Sequence, residues 1–352
     1  MRHREFAPHQ RHTETRLIHV LWLTSGLSCD GDTVSMTAAT SPSLEDLLRG
    51  VIPGMPRVVL YNALLAYETG EDFVRAFDEA ASGRLAPFLL VVEGSIPNEE
   101  INGDGVWAGF GVDPASGQPR PTTDWIDRLA PRAEAVLALG TCAAYGGIPA
   151  MKNNPTGAMG LGDYLGRTWQ SRRGVPIVNL PGCPVQPDNI TETLLALVLH
   201  LGGIGPLPEL DAQGRPVALF GQTAHERCDR AGMAESGQYS TTHGDGRCLV
   251  KLGCRGPVVK CNVPSRGWVN GIGGCPNVGG ICMACTMPGF PDRYLPLMDP
   301  DRLGVAASHA TRFTYGPVLK YFRRRTIERR YDLEPAWRTR SSELTTGYAK
   351  RW

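Results

Sequence analysis

Seven of the ten cysteines in this chain fall between Cys228 and Cys285. The segment that holds them, residues 220–292, is dominated by Gly, Cys, Pro and polar residues and has little hydrophobic periodicity. A stretch with so few apolar side chains cannot build a core of its own. It needs a staple, either disulfides or a metal. The redox compartment decides between them. The opening MRHREFAPHQRHTETRLIHVLWL has no apolar h-region, no small-residue cleavage site and no twin-arginine pair. No apolar run approaches the roughly 20 residues of a membrane span. These features predict a cytoplasmic chain with reduced thiols, unless a partner subunit carries the export signal. Metal ligation is then the leading reading of the cysteines.

The first half reads differently. Apolar runs at 17–23 (LIHVLWL), 58–64, 87–96 (PFLLVVEGSI), 135–140 (AVLALG) and 175–180 (VPIVNL) are expected as buried strands. Helical patterns lie between them at about 43–49, 72–81, 122–129 and 188–201. Continuous apolar strands separated by helices predict an α/β fold with a doubly wound, mostly parallel sheet. Four strands run into small-residue loops, TSGLSCDGD, EGSIP, GTCAAYGGIP and PGCPVQP. In such a sheet these loops gather at the carboxyl ends of the strands, where ligands bind. Three of them carry a cysteine: Cys29, Cys142 and Cys183.

At 352 residues the chain is long enough for about two domains of roughly 150 residues. The expected division is 15–204 for the α/β domain, 205–300 for the cysteine-rich domain and 301–352 for a C-terminal extension. A net charge of +1 argues against a nucleic-acid binder. That balance is a sum. Residues 312–352 hold 11 Lys/Arg and 4 Asp/Glu, a net of +7, and the remainder carries −6. The tail segment YFRRRTIERRYDL is either a solvated helix or a docking element for a second protomer, another subunit or anionic lipid.

Thiolates bind soft metals, and an iron–sulfur cube takes four ligands. His225, Cys228, Cys248 and Cys254 make one set of four. Cys261, Cys275, Cys282 and Cys285 make a second. Cys29, Cys142 and Cys183 are one ligand short, and Asp32 stands three residues after Cys29, where a CxxC pair would have its second cysteine. Plainer readings stand beside these. Four cysteines, or three with a histidine, also suit structural zinc. Asp32 suits the N-cap of a helix starting near Thr33. Cys142 and Cys183 suit buried apolar thiols. His225 suits a surface or core position.

The segments LWLTSGLSCDGD, VVEGSIP, LGTCAAYGGIPA and NLPGCPVQP resemble successive motifs of the small, electron-transferring subunit of [NiFe] hydrogenases. The run from His225 through GRCLVKLGCRGP, KCNVP, GWVNG and GICMACTMPGFPD resembles that family's C-terminal cluster domain. The likeness covers about residues 17–295. It implies a flavodoxin-like first domain holding a proximal cluster on Cys29, Asp32, Cys142 and Cys183. It implies a medial cluster on Cys261, Cys275, Cys282 and Cys285, and a distal one on His225, Cys228, Cys248 and Cys254. Three [4Fe-4S] clusters would then carry electrons from a nickel–iron centre in a separate large subunit to an acceptor, reached by a quinone route, a cytochrome or an iron–sulfur protein. No residue of this chain is expected to break the H–H bond.

Three departures narrow the resemblance. The usual Glu-Cys-x-x-Cys motif reads Ser28-Cys29-Asp30-Gly31-Asp32 here, so Asp32, or in second place Asp30, takes the missing position. Cys275 stands where many members have proline and a three-iron cluster, which predicts a four-iron one. The usual twin-arginine leader is absent. The pattern is most similar to the actinobacterial-type, high-affinity uptake enzymes, which implies oxygen tolerance and a dimer of heterodimers, with membrane association through a partner or the basic tail. Glu93, in a strand-end loop, is expected to hydrogen-bond near the proximal site or to help carry protons. The alternatives are a cluster subunit of a related respiratory complex and a zinc-stapled, non-catalytic binding protein.

Overall fold

The computed structural model describes residues 17–295 apart from Asp104. The basic tail lies outside the described residues. In chain order the strands are β1 (Leu17–Thr24), β2 (Arg57–Asn62), β3 (Phe88–Glu93), β4 (Gly109–Val112), β5 (Pro119–Pro121), β6 (Ala135–Leu139) and β7 (Val178–Leu180). Five of them form one parallel sheet in the order β2-β1-β3-β6-β7. Counting the sheet's own strands alone, this is the flavodoxin-like order 2-1-3-4-5, which reverses direction between β1 and β3. β4 and β5 pair separately as a small antiparallel ribbon inserted before β6.

The central strands are apolar along their whole length because both faces are covered. Every residue of β3 and β6 is buried. Alternation divides them between two cores, as a period of two requires. Leu21, Leu23, Leu90, Val92, Val136 and Ala138 face α3 (Glu71–Ala81) and α4 (Thr122–Leu129), packing on Phe77 and Trp125. Val20, Trp22, Leu89, Val91, Leu137 and Leu139 face the opposite layer, packing on Leu47, Ile190, Leu194 and Leu197. That layer contains α1 (Gly31–Met36), α2 (Leu44–Arg49) and α7 (Pro187–Leu201). The expected run at 87–96 ends as a strand at Glu93, because Gly94 turns to φ +93°. The run at 175–180 shortens to Val178–Leu180, since Pro176 has no amide to give a ladder.

Two further short helices, α5 (Gly140–Tyr145) and α6 (Leu161–Leu165), complete the layer set. The sequence offered a helix near Thr33 only as a plainer reading of Asp32, and α5 was not legible as one. Both are six residues long and begin directly in the strand-end loops.

Beyond residue 205 regular alternation stops, as the sequence led us to expect. The chain makes short helical turns such as Val217–Phe220, Ala231–Glu235 and Val263–Arg266, tied by single bridges such as Thr223 to Lys260. One hydrophobic cluster here includes Val258, Val259, Met287, Phe290 and Tyr294, and counts Cys261 and Cys282 among its buried members. These two thiols therefore sit inside the apolar cluster of this segment, with Cys254 and Cys285 packed against it. A polar seam joins it to α7. Asn189 and Asn262 exchange reciprocal side-chain amide bonds of 2.8 and 2.7 Å. Arg266 grips Glu192 through both terminal nitrogens at 2.9 and 2.5 Å.

Candidate metal–sulfur centres

The first group of donors gathers at the switch point of the sheet. Cys29 follows β1, Glu93 ends β3, Cys142 lies in α5 after β6, and Cys183 follows β7. The loop after β1 is fastened by Glu93, which is completely buried. Its Oε2 accepts from Trp22 Nε1 at 2.8 Å and from the Thr33 hydroxyl at 2.6 Å. Its Oε1 accepts from the backbone N–H groups of Asp32 at 3.0 Å and Thr33 at 3.4 Å. These amides belong to the first turn of α1 and have no partner inside the helix. Glu93 thus caps α1 from a neighbouring strand.

The helix-cap reading of Asp32 fails on this geometry. The N-cap position is Asp30, at φ +53°, and it makes no side-chain capping bond. Asp32 sits one residue inside the helix and turns its carboxylate across the site, accepting from Val185 N–H at 2.7 Å. Burial pushes this carboxyl up to about 8, the charge of Glu93 adds to the rise, and the Val185 amide opposes it. Gly140 makes room for it. A Cβ there would stand 2.0 Å from Asp32 Oδ2, and the backbone is at φ +82°. Gly147, at φ +54°, leaves similar room, since its Cβ would fall 2.7 Å from Cys142 Sγ. Only glycine supplies both the conformation and the space.

Asp32 shares its surroundings with the three thiols. Burial pushes the Cys142 thiol up to about 11, with added repulsion from Cys183 and Asp32. Cys183 is raised by burial, then by Asp32 and Cys29. The structure therefore brings Cys29, Asp32, Cys142 and Cys183 together, and Cys29 and Cys183 are exposed at the surface.

The second and third groups form in the loop-rich segment. Cys228, Cys248 and Cys254 interact, with Cys228 raised to about 11 chiefly by burial. His225 lies on the same side of Gly256 as Cys254: a Cβ added to Gly256 would stand 3.5 Å from Cys254 Sγ and 3.7 Å from His225 Cβ. His225 N–H also bonds Gly256 O at 3.0 Å. Cys261 and Cys275 interact with each other, and both act on Cys285. Cys282 is fully enclosed and raised by burial, then by Cys254, Cys261 and Cys285.

A backbone regularity runs through these loops that side-chain spacing does not disclose. The amide two residues ahead of Cys228, Cys248, Cys254, Cys261 and Cys282 opposes the rise that burial causes in each thiol. Amides so placed favour the charged thiolate, the form that binds metal. The groups also touch in sequence. The Thr141 hydroxyl, beside Cys142, donates to Cys285 O, and the Cys282 amide donates to Cys254 Sγ at 3.3 Å. All ten cysteines are free thiols.

A flavodoxin-like sheet with thiols at its strand ends, continued into a segment whose hydrophobic cluster is itself lined by thiols, defines an oxidoreductase subunit as the class. Comparison with known proteins gives the family. Residues 29–197 match the model of the NADH ubiquinone oxidoreductase 20 kDa subunit. Residues 220–298 match the C-terminal model of the NiFe/NiFeSe hydrogenase small subunit. The periplasmic [NiFeSe] hydrogenase small subunit of Desulfomicrobium baculatum is 34% identical over 281 residues, 79% of this chain and 85% of that one. The hydrogenase-2 small chain of Escherichia coli K12 is 31% identical over 277 residues, 77% of this chain and 67% of that one. The solved actinobacterial-type NiFe-hydrogenase of Ralstonia eutropha H16 superposes with a TM-score of 0.83 at 55% identity, covering 95% and 96% of the two chains.

The chain belongs to the small-subunit family of NiFe hydrogenases. It is thus one subunit of a hydrogenase heteromer, and the family implies iron–sulfur clusters and a nickel–iron centre in a large-subunit partner. Among the described residues no helix is long and apolar enough to cross a membrane.

Proposed function

We propose that this chain carries electrons, one at a time, from H2 oxidation in the large subunit through three [4Fe-4S] clusters to an external acceptor of the quinone, cytochrome or iron–sulfur class. The proximal set is Cys29, Asp32, Cys142 and Cys183. The medial set is Cys261, Cys275, Cys282 and Cys285. The distal set is His225, Cys228, Cys248 and Cys254. The division near residue 204 assigns the first set to the flavodoxin-like domain and the other two to the loop-rich one.

The observation that carries this reading is the order of contact between the sets. The hydroxyl of Thr141, next to proximal Cys142, donates to the carbonyl of medial Cys285, and the amide of medial Cys282 donates to the sulfur of distal Cys254 at 3.3 Å. The donor chemistry fits the group: soft thiols, one imidazole and one carboxylate, with amides aimed at sulfur and a glycine opening at Gly140 and Gly147. The family likeness favours a cluster, whose ligands bind separate irons, over the zinc reading. A bound cube supplies reversible one-electron storage. This chain's part is to hold it, enclose it and set its potential.

Exposure of Cys29 and Cys183 beside Val34 supports docking of the large subunit over the proximal set. A cytoplasmic setting rests on the sequence reading of the N-terminal segment. The uptake role, oxygen tolerance and assembly as a dimer of heterodimers rest on the likeness to the actinobacterial-type enzymes.

Iron and acid-labile sulfide analysis of the purified complex tests the reading. Three cubes require about twelve irons and twelve sulfides per chain. A colourless, zinc-loaded protein refutes it. Asp32 is tested by Asp32→Cys, which is expected to shift the midpoint potential and EPR signal of the proximal cluster. An unchanged signal and potential would remove Asp32 from the ligand set.

A further inference from the structure

The proximal and medial donor sets come from different parts of the chain, and one hydroxyl joins them. Thr141 is the second residue of α5, next to Cys142, and is 1% exposed. Its own N–H donates to Gly182 O at 2.9 Å. Its Oγ1 accepts from Gly182 N–H at 3.0 Å. The same oxygen donates to the backbone carbonyl of Cys285. The hydroxyl's single proton and an acceptor site are both in use, which a side chain lacking oxygen cannot reproduce.

The placement of these partners matters. Gly182 precedes Cys183, a member of the proximal set, and Cys285 belongs to the medial set. One buried hydroxyl therefore ties Gly182, the neighbour of Cys183, to Cys285 by two hydrogen bonds. This link lies where the two sets approach each other.

We propose that Thr141 is a positioning residue that fixes the spacing and contact between the first two redox centres by tying the Cys183 loop to the Cys285 loop through its hydroxyl. This rests on the electron-relay reading above. In the transfer concerned, one electron leaves the reduced centre held by Cys183 and enters the oxidised centre held by Cys285. No bond breaks and no proton moves, so the protein's contribution is geometric. Thr141 touches no substrate and transfers nothing itself.

The test uses the native heteromeric complex carrying Thr141→Val, which keeps the β-branched shape and removes the oxygen, and Thr141→Ser, which keeps the oxygen. Four readouts are needed: iron and sulfide content, magnetic splitting between neighbouring clusters in the EPR of the reduced complex, H2/D2 isotope exchange, and dye reduction. Thr141→Val is expected to retain full iron and isotope exchange, lose the proximal–medial splitting and slow dye reduction. Thr141→Ser is expected to match the wild type in all four.

Full iron with unchanged splitting in Thr141→Val overturns the proposal, and so does loss of splitting in iron-replete Thr141→Ser. A Thr141→Val complex short of iron overturns it too, because the residue would then serve to hold a cluster rather than to space two. Failure of the relay reading itself is distinguishable: the wild-type complex would then lack the iron or the cluster signals.

Discussion

Replacing Glu93 with glutamine is the sharpest test of how the proximal loop is held. The change preserves size and removes one acceptor oxygen. Its cost follows from the hydrogen bonds. If the new amide nitrogen takes the Oε2 position, it faces the Trp22 indole N–H and the Thr33 hydroxyl, both donors, at 2.8 and 2.6 Å. The Thr33 oxygen accepts from Asn62 Nδ2 at 3.0 Å and could accept the new amide on its second lone pair, but its own proton would then lose its acceptor. If the nitrogen takes the Oε1 position, it faces the amides of Asp32 and Thr33. Either way two donors lose their acceptor in a dry site. At about 1–3 kcal/mol each, the loss is about 2–6 kcal/mol. For 352 residues, at about 2.1 cal/mol/K each, the apparent melting midpoint should fall by at least about 3 °C. Differential scanning calorimetry of the complex, read beside iron content, measures it. Trp22→Phe removes one donor and keeps an aromatic ring, so its drop should be smaller. A Glu93→Gln protein that melts with the wild type and holds its full iron would refute the idea that this carboxylate anchors the loop.

Two further outcomes follow from the same geometry. Gly140→Ala should displace the Asp32 carboxylate, because the added carbon would lie 2.0 Å from Oδ2, whereas Gly117→Ala at φ +70° meets nothing within 4 Å. Both pay backbone strain of order 1–3 kcal/mol, so equal melting and equal proximal EPR signals in the two variants would contradict the crowding argument. His19 in β1 has its pKa lowered by burial, and its Nδ1 meets the Tyr61 hydroxyl at 3.2 Å. A base with a depressed folded pKa contributes stability above its unfolded value of about 6.5 and loses it as pH falls through the folded one. His19→Gln should therefore flatten the acid side of the stability profile below about pH 6.5, and an unchanged slope there would exclude His19 as its source.

Much of this protein was written in linear patterns. Five apolar runs and four helical patterns located the sheet and its larger helices, since buried parallel strands must be apolar on both faces. The spacing of Cys228 through Cys285 marked the segment in which the thiols gather. What stayed hidden was local and small. α1 and α5 lack any apolar period and exist because Glu93 and the Cys183 loop satisfy their ends from elsewhere.

Candidate donors, their grouping in fours and the gap at the first set are matters of residue type and spacing, which one-dimensional order carries. Tertiary structure decided how those side chains are held. It set Asp32 inside α1, with its carboxylate on the Val185 amide and close to Cys142 and Cys183. It made Glu93 the clasp of the loop. Those outcomes depend on pairs far apart in sequence, Asp32 with Val185 and Thr141 with Cys285. Only the folded sheet, by gathering its strand ends on one edge, brings such pairs within hydrogen-bond reach.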